Sequence, residues 1–335
     1  MKLRRWLMMV LLAGAALASV LYHRANVPEL AVLEGQTMGT YYRIKVAGES
    51  SENLKSLKPS VEAALKRINK SLSTWDADSL ISRFNADKDN LDSFLMEGDF
   101  FPVMHESRHM SLVSDGAFNP ALAPLIKLWG FDRDSDQQKW PEPEEVAEAL
   151  ALSDFDQGIR LVKEVMLRQK AGVTLNFSAI AKGYAVDVLG EALKKAGHLD
   201  YLVDIGGEIL ARGLNTDGTA WRVGIEQPDQ NGAIVQTVVA LEDEAIATSG
   251  DYRNYREKDG KRFSHIIDPR TGYPIDHDIA SVSVRAETAM RADGFATALM
   301  VMGRAGLETC EKQELACYLI VRENGVFSSL SSSRW

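Results

Sequence analysis

The chain has 335 residues, of which 45% are hydrophobic and 25% are charged, enough apolar material for a sizeable core and too much for general disorder. Its formal net charge is −9, and a broadly acidic surface repels phosphate backbones, which excludes nucleic acid as the expected partner. An anionic small substrate would therefore need local positive charge from a metal ion, a lysine or a helix N-terminus.

Residues 1–24 are typical of an export signal or a membrane anchor. Basic residues precede an apolar run over residues 6–22, the pattern of a positive region followed by an apolar core. Cleavage after Ala18 would remove most of the run, whereas its length, at the short limit for spanning a bilayer, also suffices for an anchor that stays in the inner membrane. We therefore expect an exported, periplasmic protein whose folded catalytic unit spans residues 25–335.

The first half of this unit shows clear periodicities. Residues 40–46 alternate between apolar and polar side chains, which predicts a half-buried strand. Apolar residues at helical spacing over 57–72 predict an amphipathic helix. A second helix is predicted to end near Asp115, and the polar, proline-containing residues 132–145 indicate a surface loop.

Short strands dominate the second half and are separated by glycine-rich turns. Strand-rich segments are predicted at "IRLV", "VMLRQ", "VTLNF", "YLVDIGGEILARG", "WRVGIE", "IVQTVVAL", "AIATSG", "IASVSVRA" and "ACYLIV". One helix is expected to begin near Ser178 and stop at Gly197, and another covers "RADGFATALMVMG". We therefore predict an α+β fold with mixed or antiparallel sheets and packed helices, rather than a doubly wound parallel sheet. Cys310 and Cys317 are compatible with a disulfide in an exported protein and also with two buried thiols.

The segment "LNFSAIAKGYAVD" is a candidate anion site. A predicted strand ends at Asn176 and a helix follows, so free backbone N–H groups at the helix start would favour an anion. Lys182 adds a positive charge within the first turns. The alternative is an ordinary capped helix with an exposed lysine.

Three further segments each have a functional and a structural interpretation. The aromatic-rich "DGAFNPALAPLIKLWGF" would line a ring-binding pocket or simply fill the core. The adjacent glycines of "DIGGEI" allow close approach of a ligand or form a tight turn. His265, expected to share a strand face with Ile267, is either a core histidine or a general base.

The last long helix carries Asp293 and Thr297 one turn apart, at the border of an apolar stripe formed by Ala292, Ala296 and Leu299. Asp293 would interact favourably with the helix dipole, and Thr297 could bond to a preceding carbonyl, without any further role. A carboxylate and a hydroxyl in this arrangement also suit Mg²⁺, which prefers oxygen ligands.

Eight stretches together resemble one protein family. They occur in one order between residues 36 and 303: "TMGTYYRI", "STWD", "DGAFNPALAPLIKLWGF", "NFSAIAKGYAVD", "DIGGEI", "TSGDYRNY", "HIIDPRTGYPI" and "ADGFATALMVMG". In these stretches the chain resembles the ApbE family, the exported FAD:protein FMN transferases. The resemblance implies that FAD binds with Mg²⁺ on its pyrophosphate, that FMN passes to a Thr or Ser hydroxyl of an acceptor flavoprotein, and that AMP leaves.

The resemblance also implies residue roles. The flavin nucleotide would be bound by Met38, Trp75, Ala117, Phe118, Asn119, Asn176, Lys182 and Ile267. The metal would bind to the Ala179 carbonyl, the Asp293 carboxylate and the Thr297 hydroxyl, while His265 would assist deprotonation of the acceptor hydroxyl.

The chain departs from the family pattern at three points. Asn119 and Asn176 stand where the family usually has Asp, which removes a negative charge and adds a donor at each position. The cysteine that commonly anchors a lipid is absent from the N-terminal segment. Two alternatives to transfer remain compatible with the sequence: a Mg²⁺-dependent FAD pyrophosphatase that gives FMN and AMP, and an exported flavin-binding module without turnover.

Overall fold

An eight-stranded antiparallel sheet forms the centre of the fold. The computed structural model describes residues 29–133, 139–228, 234–252, 254–323 and 325–335, so the predicted export segment and part of the predicted loop at 132–145 lie outside it. The central strand order is β1-β2-β6-β7-β10-β13-β14-β15, and every neighbouring pair is antiparallel. The strands of this sheet are β1 Leu30–Thr37, β2 Thr40–Ala47, β6 Tyr201–Ile205, β7 Glu208–Arg212, β10 Ala245–Gly250, β13 Ile279–Ala286, β14 Ala316–Glu323 and β15 Val326–Ser331.

Three smaller sheets and ten α-helices within the described residues complete the fold. The smaller sheets contain β3 Ser93–Leu95 with β4 Ile159–Val162 and β5 Val165–Arg168, β8 Trp221–Glu226 with β9 Val235–Leu241, and β11 Tyr255–Lys258 with β12 Lys261–Ser264. The helices are α1 Ser51–Ser56, α2 Lys58–Leu72, α3 Leu80–Ala86, α4 Phe100–Val113, α5 Ala123–Leu128, α6 Pro143–Ala151, α7 Phe155–Gly158, α8 Ala181–Lys195, α9 Ala289–Met302 and α10 Gly306–Lys312. None of the helices in these ranges has the length and apolarity needed to cross a bilayer.

The two faces of the central sheet bury different cores. Because strand side chains alternate, Val203 and Ile205 of β6 join the main core with α8 and α9, whereas Leu202 points into a second core. The hairpin of β8 and β9 covers that second core with Trp221 and Leu241. The predicted α+β class with packed helices is therefore confirmed, while the boundary at residue 25 stays a prediction.

The predicted strand at "VTLNF" is wrong. Val173, Leu175 and Phe177 are buried in alternation, as the pattern predicts, but the segment pairs with no strand in the part of the chain that the structure describes. The side chain of Asn85 takes the place of a neighbouring strand, since its Oδ1 accepts from Leu175 N at 2.8 Å and its Nδ2 donates to Leu175 O at 2.7 Å. Periodicity thus reported burial correctly but could not identify the hydrogen-bond partner.

Helix α9 is buried on most sides, which corrects the prediction of a simple apolar stripe. The buried set is Ala289, Ala292, Asp293, Gly294, Phe295, Ala296, Ala298, Leu299, Met300 and Val301. Its first N–H groups are satisfied from outside the helix: Asp187 of α8 accepts from Ala289 N at 2.8 Å and from Met290 N at 2.9 Å. Thr288 accepts from Arg291 N at 3.3 Å, so the start of α9 is fixed by two residues.

Cys310 of α10 and Cys317 of β14 are joined by a disulfide, with their Cα atoms 6.5 Å apart. The sequence was compatible with a disulfide or with two buried thiols, and the structure has the disulfide. The bond ties α10 to the central sheet near its β14–β15 edge.

Candidate active site

Two neighbouring cavities contain every predicted site residue. The Trp75 cavity, of about 520 Å³, is lined by Met38, Trp75, Asn176 and Lys182 among others. The His265 cavity, of about 330 Å³, is lined by Ala117, Phe118, Asn119, Ala179, Lys182, His265, Ile267, Asp293 and Thr297, together with unpredicted residues such as Glu208, Ser249 and Asn254. Ser178 and Lys182 line both cavities, so the turn before α8 lies between them.

Met38 and Trp75 supply apolar surface to the first cavity. Met38 and Gly39 form the two-residue turn between β1 and β2, with positive φ angles of 48° and 73°. Such turns favour Asn-Gly, because a positive φ is unfavourable for most residues that have a Cβ. Here the first position is a methionine, and its side chain lines the cavity. Trp75 is 62% exposed, and its indole offers a stacking surface for a flat ring.

The start of α8 differs from the prediction. The helix begins at Ala181, not near Ser178, because the Asn176 side chain accepts from Ser178 N at 2.8 Å and from the Ser178 hydroxyl. Ala181 N already donates to Phe177 O at 2.9 Å, and Gly183 N donates to Asp293 Oδ2 at 3.0 Å. Positive charge at this turn therefore comes chiefly from the Lys182 ammonium rather than from free N–H groups.

Lys182 is paired with a buried glutamate. Its Nζ lies 2.6 Å from Glu208 Oε2, and the Glu208 side chain is only 4% exposed. Burial raises the pKa of Glu208, although the charge of Lys182 and its hydrogen bond act in the opposite direction. The pair joins the first turn of α8 to the first residue of β7.

Asp293 lies at the close approach of α8 and α9. A Cβ added to Gly183 would be 2.3 Å from Ala289 O and 2.8 Å from Asp293 Cβ, so only glycine permits this contact. Burial, followed by the negative charge of Glu208, raises the pKa of Asp293 to about 8. The carboxylate is therefore desolvated and close to a second acid.

The donors around Asp293 fit a hard divalent cation. Thr297 follows Asp293 by one turn, and its hydroxyl lies 3.2 Å from Ser249 Oγ. Ala179 lines the same cavity, and with its carbonyl, the donor that the family resemblance implies, Asp293 and Thr297 would make the all-oxygen set that Mg²⁺ prefers. Across the described ranges there is no metal-binding group of three or more His, Cys, Asp or Glu side chains, so carbonyl and hydroxyl ligands would have to complete the site.

His265 has one nitrogen available as a base. Its Nδ1 lies 2.9 Å from the backbone oxygen of Asn254, and a carbonyl can only accept, so Nδ1 carries the proton. The neutral ring therefore leaves Nε2 unprotonated. Burial lowers the pKa of His265, which keeps the ring neutral at neutral pH. The predicted strand face shared with Ile267 is wrong, because β12 ends at Ser264, but both residues line the same cavity.

Asn119 uses its side-chain amide within the protein. Nδ2 donates to Ser153 O at 2.8 Å and Oδ1 accepts from Ala121 N at 2.7 Å. An ionised aspartate could not donate to Ser153, so asparagine suits this position in this chain. Ala117 and Phe118 are each 2% exposed and line the His265 cavity.

Comparison with known proteins identifies the family. Residues 38–319 match the sequence model of the ApbE family. The chain belongs to the ApbE family. A FAD:protein FMN transferase of Haemophilus influenzae is 41% identical over 90% of this chain and 89% of its own length, and one of Escherichia coli K12 is 34% identical over 93% and 90%.

Solved structures of ApbE proteins have the same fold. Flavin transferase ApbE from Vibrio cholerae is 34% identical, covers 92% of this chain and 98% of its own, and has a TM-score of 0.84. The apo form of Pseudomonas stutzeri flavinyl transferase ApbE is 36% identical, covers 92% and 96%, and has a TM-score of 0.82. The predicted family is thereby confirmed.

Three residues that matter to this ApbE site were not singled out from the sequence. Glu208 follows the glycines of "DIGGEI", but its proximity to Lys182 depends on how β7 and α8 meet. Gly183 stands inside a helix, where a glycine is costly and so carries a packing signal. Asn254 acts through its backbone oxygen, which no side-chain pattern could indicate.

Proposed function

We propose that this ApbE protein transfers FMN from FAD to a hydroxyl of an acceptor protein, with Mg²⁺ bound at Asp293. One observation carries the proposal: Lys182, the Asp293–Thr297 pair and His265, whose Nε2 is unprotonated, all line the His265 cavity. The names of the relatives, at 34% to 41% identity over nine-tenths of the chain, support the same activity.

The reaction requires one P–O bond to form and one to break. The acceptor oxygen of a Thr or Ser attacks the phosphorus on the flavin side of the pyrophosphate, and AMP leaves with the bridging oxygen. His265 Nε2 accepts the hydroxyl proton. Lys182 provides positive potential beside the phosphates.

The metal site would be formed by three oxygen donors. Asp293, Thr297 and the Ala179 carbonyl would hold Mg²⁺, which when bound neutralises pyrophosphate charge and stabilises the departing oxygen. Gly183 orients Asp293 for this task, because its N–H holds Oδ2 at 3.0 Å. The exposed Trp75 indole provides a flat surface for one of the rings of FAD.

We further propose that the protein acts after export, on an exported acceptor, and that residues 1–24 are its signal or inner-membrane anchor. The basic and apolar pattern of that segment supports this. The Cys310–Cys317 disulfide adds support, since disulfides persist in oxidising compartments. Cell fractionation tests the location, and a soluble cytoplasmic chain with an intact N-terminus would contradict it.

Transfer is tested by mass spectrometry of an acceptor domain that contains a flavinylation threonine, after incubation with the protein, FAD and Mg²⁺. We expect the acceptor to gain the mass of FMN less water, with release of one AMP. Free FMN without an adduct would indicate a pyrophosphatase, and tight FAD binding without AMP release would indicate a flavin-binding module.

Asp293→Asn tests the metal assignment, because asparagine can still accept from Gly183 N but has no negative charge. We expect Mg²⁺-dependent transfer to be lost while the melting temperature is kept. Asp278→Asn, which removes a partly exposed ion pair with Arg304, is the matched control and should retain transfer. Normal transfer by Asp293→Asn at low Mg²⁺ would refute the metal site.

A further inference from the structure

The position of Glu208 is constrained by the tight turn that precedes it. The turn before it consists of Gly206 and Gly207, with φ angles of 64° and 107°, so both residues need the left-handed region. A Cβ on Gly206 would lie 2.8 Å from Thr40 Cγ2, so the turn is packed directly against β2. The Glu208 carboxylate is thereby placed inside the protein at a defined point.

The partner of Glu208 is a lysine that lines the same cavity as a second acid, Asp293, and interacts with it electrostatically. Among the described residues that line the His265 cavity, Glu208 and Asp293 are the acidic ones. Lys182 is adjacent in sequence to Gly183, whose N–H holds Asp293. The Lys182 ammonium nevertheless lies on Glu208, at 2.6 Å. A lysine side chain has four rotatable bonds and would turn to the other carboxylate if Glu208 were neutral.

We propose that Glu208 is a positioning residue that holds Lys182 on the β7 side of the cavity and so leaves the Asp293 carboxylate available to a divalent cation. The inference rests on the proposed function, because it concerns the same cation site. Without the charge of Glu208, Lys182 competes with the cation for Asp293. Glu208 therefore affects metal affinity through Lys182 rather than by binding the metal.

The test measures binding separately from turnover. Mn²⁺, a paramagnetic substitute for Mg²⁺, is titrated into FAD-loaded protein, and free Mn²⁺ is measured by electron paramagnetic resonance. We expect Glu208→Gln to weaken Mn²⁺ binding about tenfold, a typical coupling between contacting charged groups. FAD binding without metal should change less than about threefold, because Lys182 remains present. Glu244→Gln, which removes the partly buried ion pair with Arg285, is the matched control and should leave both affinities unchanged.

A double-mutant cycle identifies the role of Lys182. In a Lys182→Met background, Glu208→Gln should no longer weaken Mn²⁺ binding, since the competing ammonium is gone. Unchanged Mn²⁺ affinity in the Glu208→Gln single variant would overturn the proposal, and so would a loss that persists in the Lys182→Met background. If wild-type protein binds FAD and Mn²⁺ but transfers no FMN, the proposed function fails while this inference is still tested by the same titrations.

Discussion

Replacement of Gly183 by alanine is the sharpest test of how the fold positions the site. The added Cβ would lie 2.3 Å from Ala289 O and 2.8 Å from Asp293 Cβ, where ordinary contacts are at least about 3.4 Å. One contact is with backbone and cannot be relieved by a rotamer change. Helices α8 and α9 must therefore separate by about 1 Å at this point.

The expected destabilisation follows from three contributions. Overpacking of a close contact costs about 1–3 kcal/mol. Weakening the Gly183 N–H bond to the Asp293 carboxylate costs about 1–2 kcal/mol more. Alanine's better helix propensity offsets about 1 kcal/mol. The net loss in unfolding free energy is about 1–4 kcal/mol, and the shift of Asp293 should slow transfer about 100-fold.

Gly190→Ala in the same helix is the matched control. Its Cβ would meet Leu210 Cδ2 at 2.5 Å, the end of a flexible side chain that can rotate away. Urea unfolding and FMN transfer rates should show some loss of stability in Gly190→Ala with normal transfer, and losses of both in Gly183→Ala. A Gly183→Ala protein that is more stable than wild type and fully active would refute the close approach of the two helices.

Two further predictions concern titratable groups. His265→Ala should slow transfer about 10²–10⁴-fold with FAD affinity nearly unchanged. Burial lowers the pKa of His265 below its ordinary 6.5, so the wild-type transfer rate should rise with pH through a value below 6.5 and be level at neutral pH. The variant should lack this rise. Equal losses of rate and affinity would make His265 a binding or packing residue. Burial raises the pKa of Asp187 to about 6 from an ordinary 3.8, so the folded protein keeps this proton at higher pH than the unfolded chain, and unfolding free energy should fall as pH rises through that interval. Asp187→Ala should lose this pH dependence of the unfolding free energy and be less stable at every pH, because it leaves two N–H groups of α9 without acceptors. Urea unfolding at a series of pH values measures both effects. An unchanged pH dependence in the variant would contradict the raised pKa of Asp187.

Helices and strands in which apolar residues repeat at regular spacing could be predicted from the sequence, because that spacing indicates which face of the element is buried. Tyr42, Ile44 and Val46 are buried on β2 as their alternation predicts. Helix α2 buries the predicted stripe from Val61 to Leu72, whereas Leu57 precedes the helix and is half-buried. The predicted strand over residues 173–177 failed for the complementary reason. Its alternation is genuine, but the partner is the side chain of Asn85, 90 residues away from Leu175 in sequence.

The site was predicted through motifs, whereas its internal contacts were not. The family resemblance indicated residues that the structure brings into two adjoining cavities, some from turns and others, such as Asp293 and Thr297, from within a helix. The Lys182–Glu208 pair joins residues 26 positions apart and depends on the register of β7 beside α8. Local sequence contains no information on such a distance, so the charge balance of the cavity became visible only in the fold.

That charge balance indicates how the nucleotide and the cation should bind. In the described wall of the His265 cavity the charge of Lys182 is already paired with Glu208, and Asp293 adds a second acid, so the three side chains offer no net positive charge. A pyrophosphate entering this space therefore lacks compensating charge unless a divalent cation accompanies it. The same cation is held more strongly once phosphate oxygens complete its ligands. We therefore expect FAD and Mg²⁺ each to raise the affinity of the other by the same factor, as linkage requires, and independent binding of the two would mean that the phosphates lie elsewhere than beside Asp293.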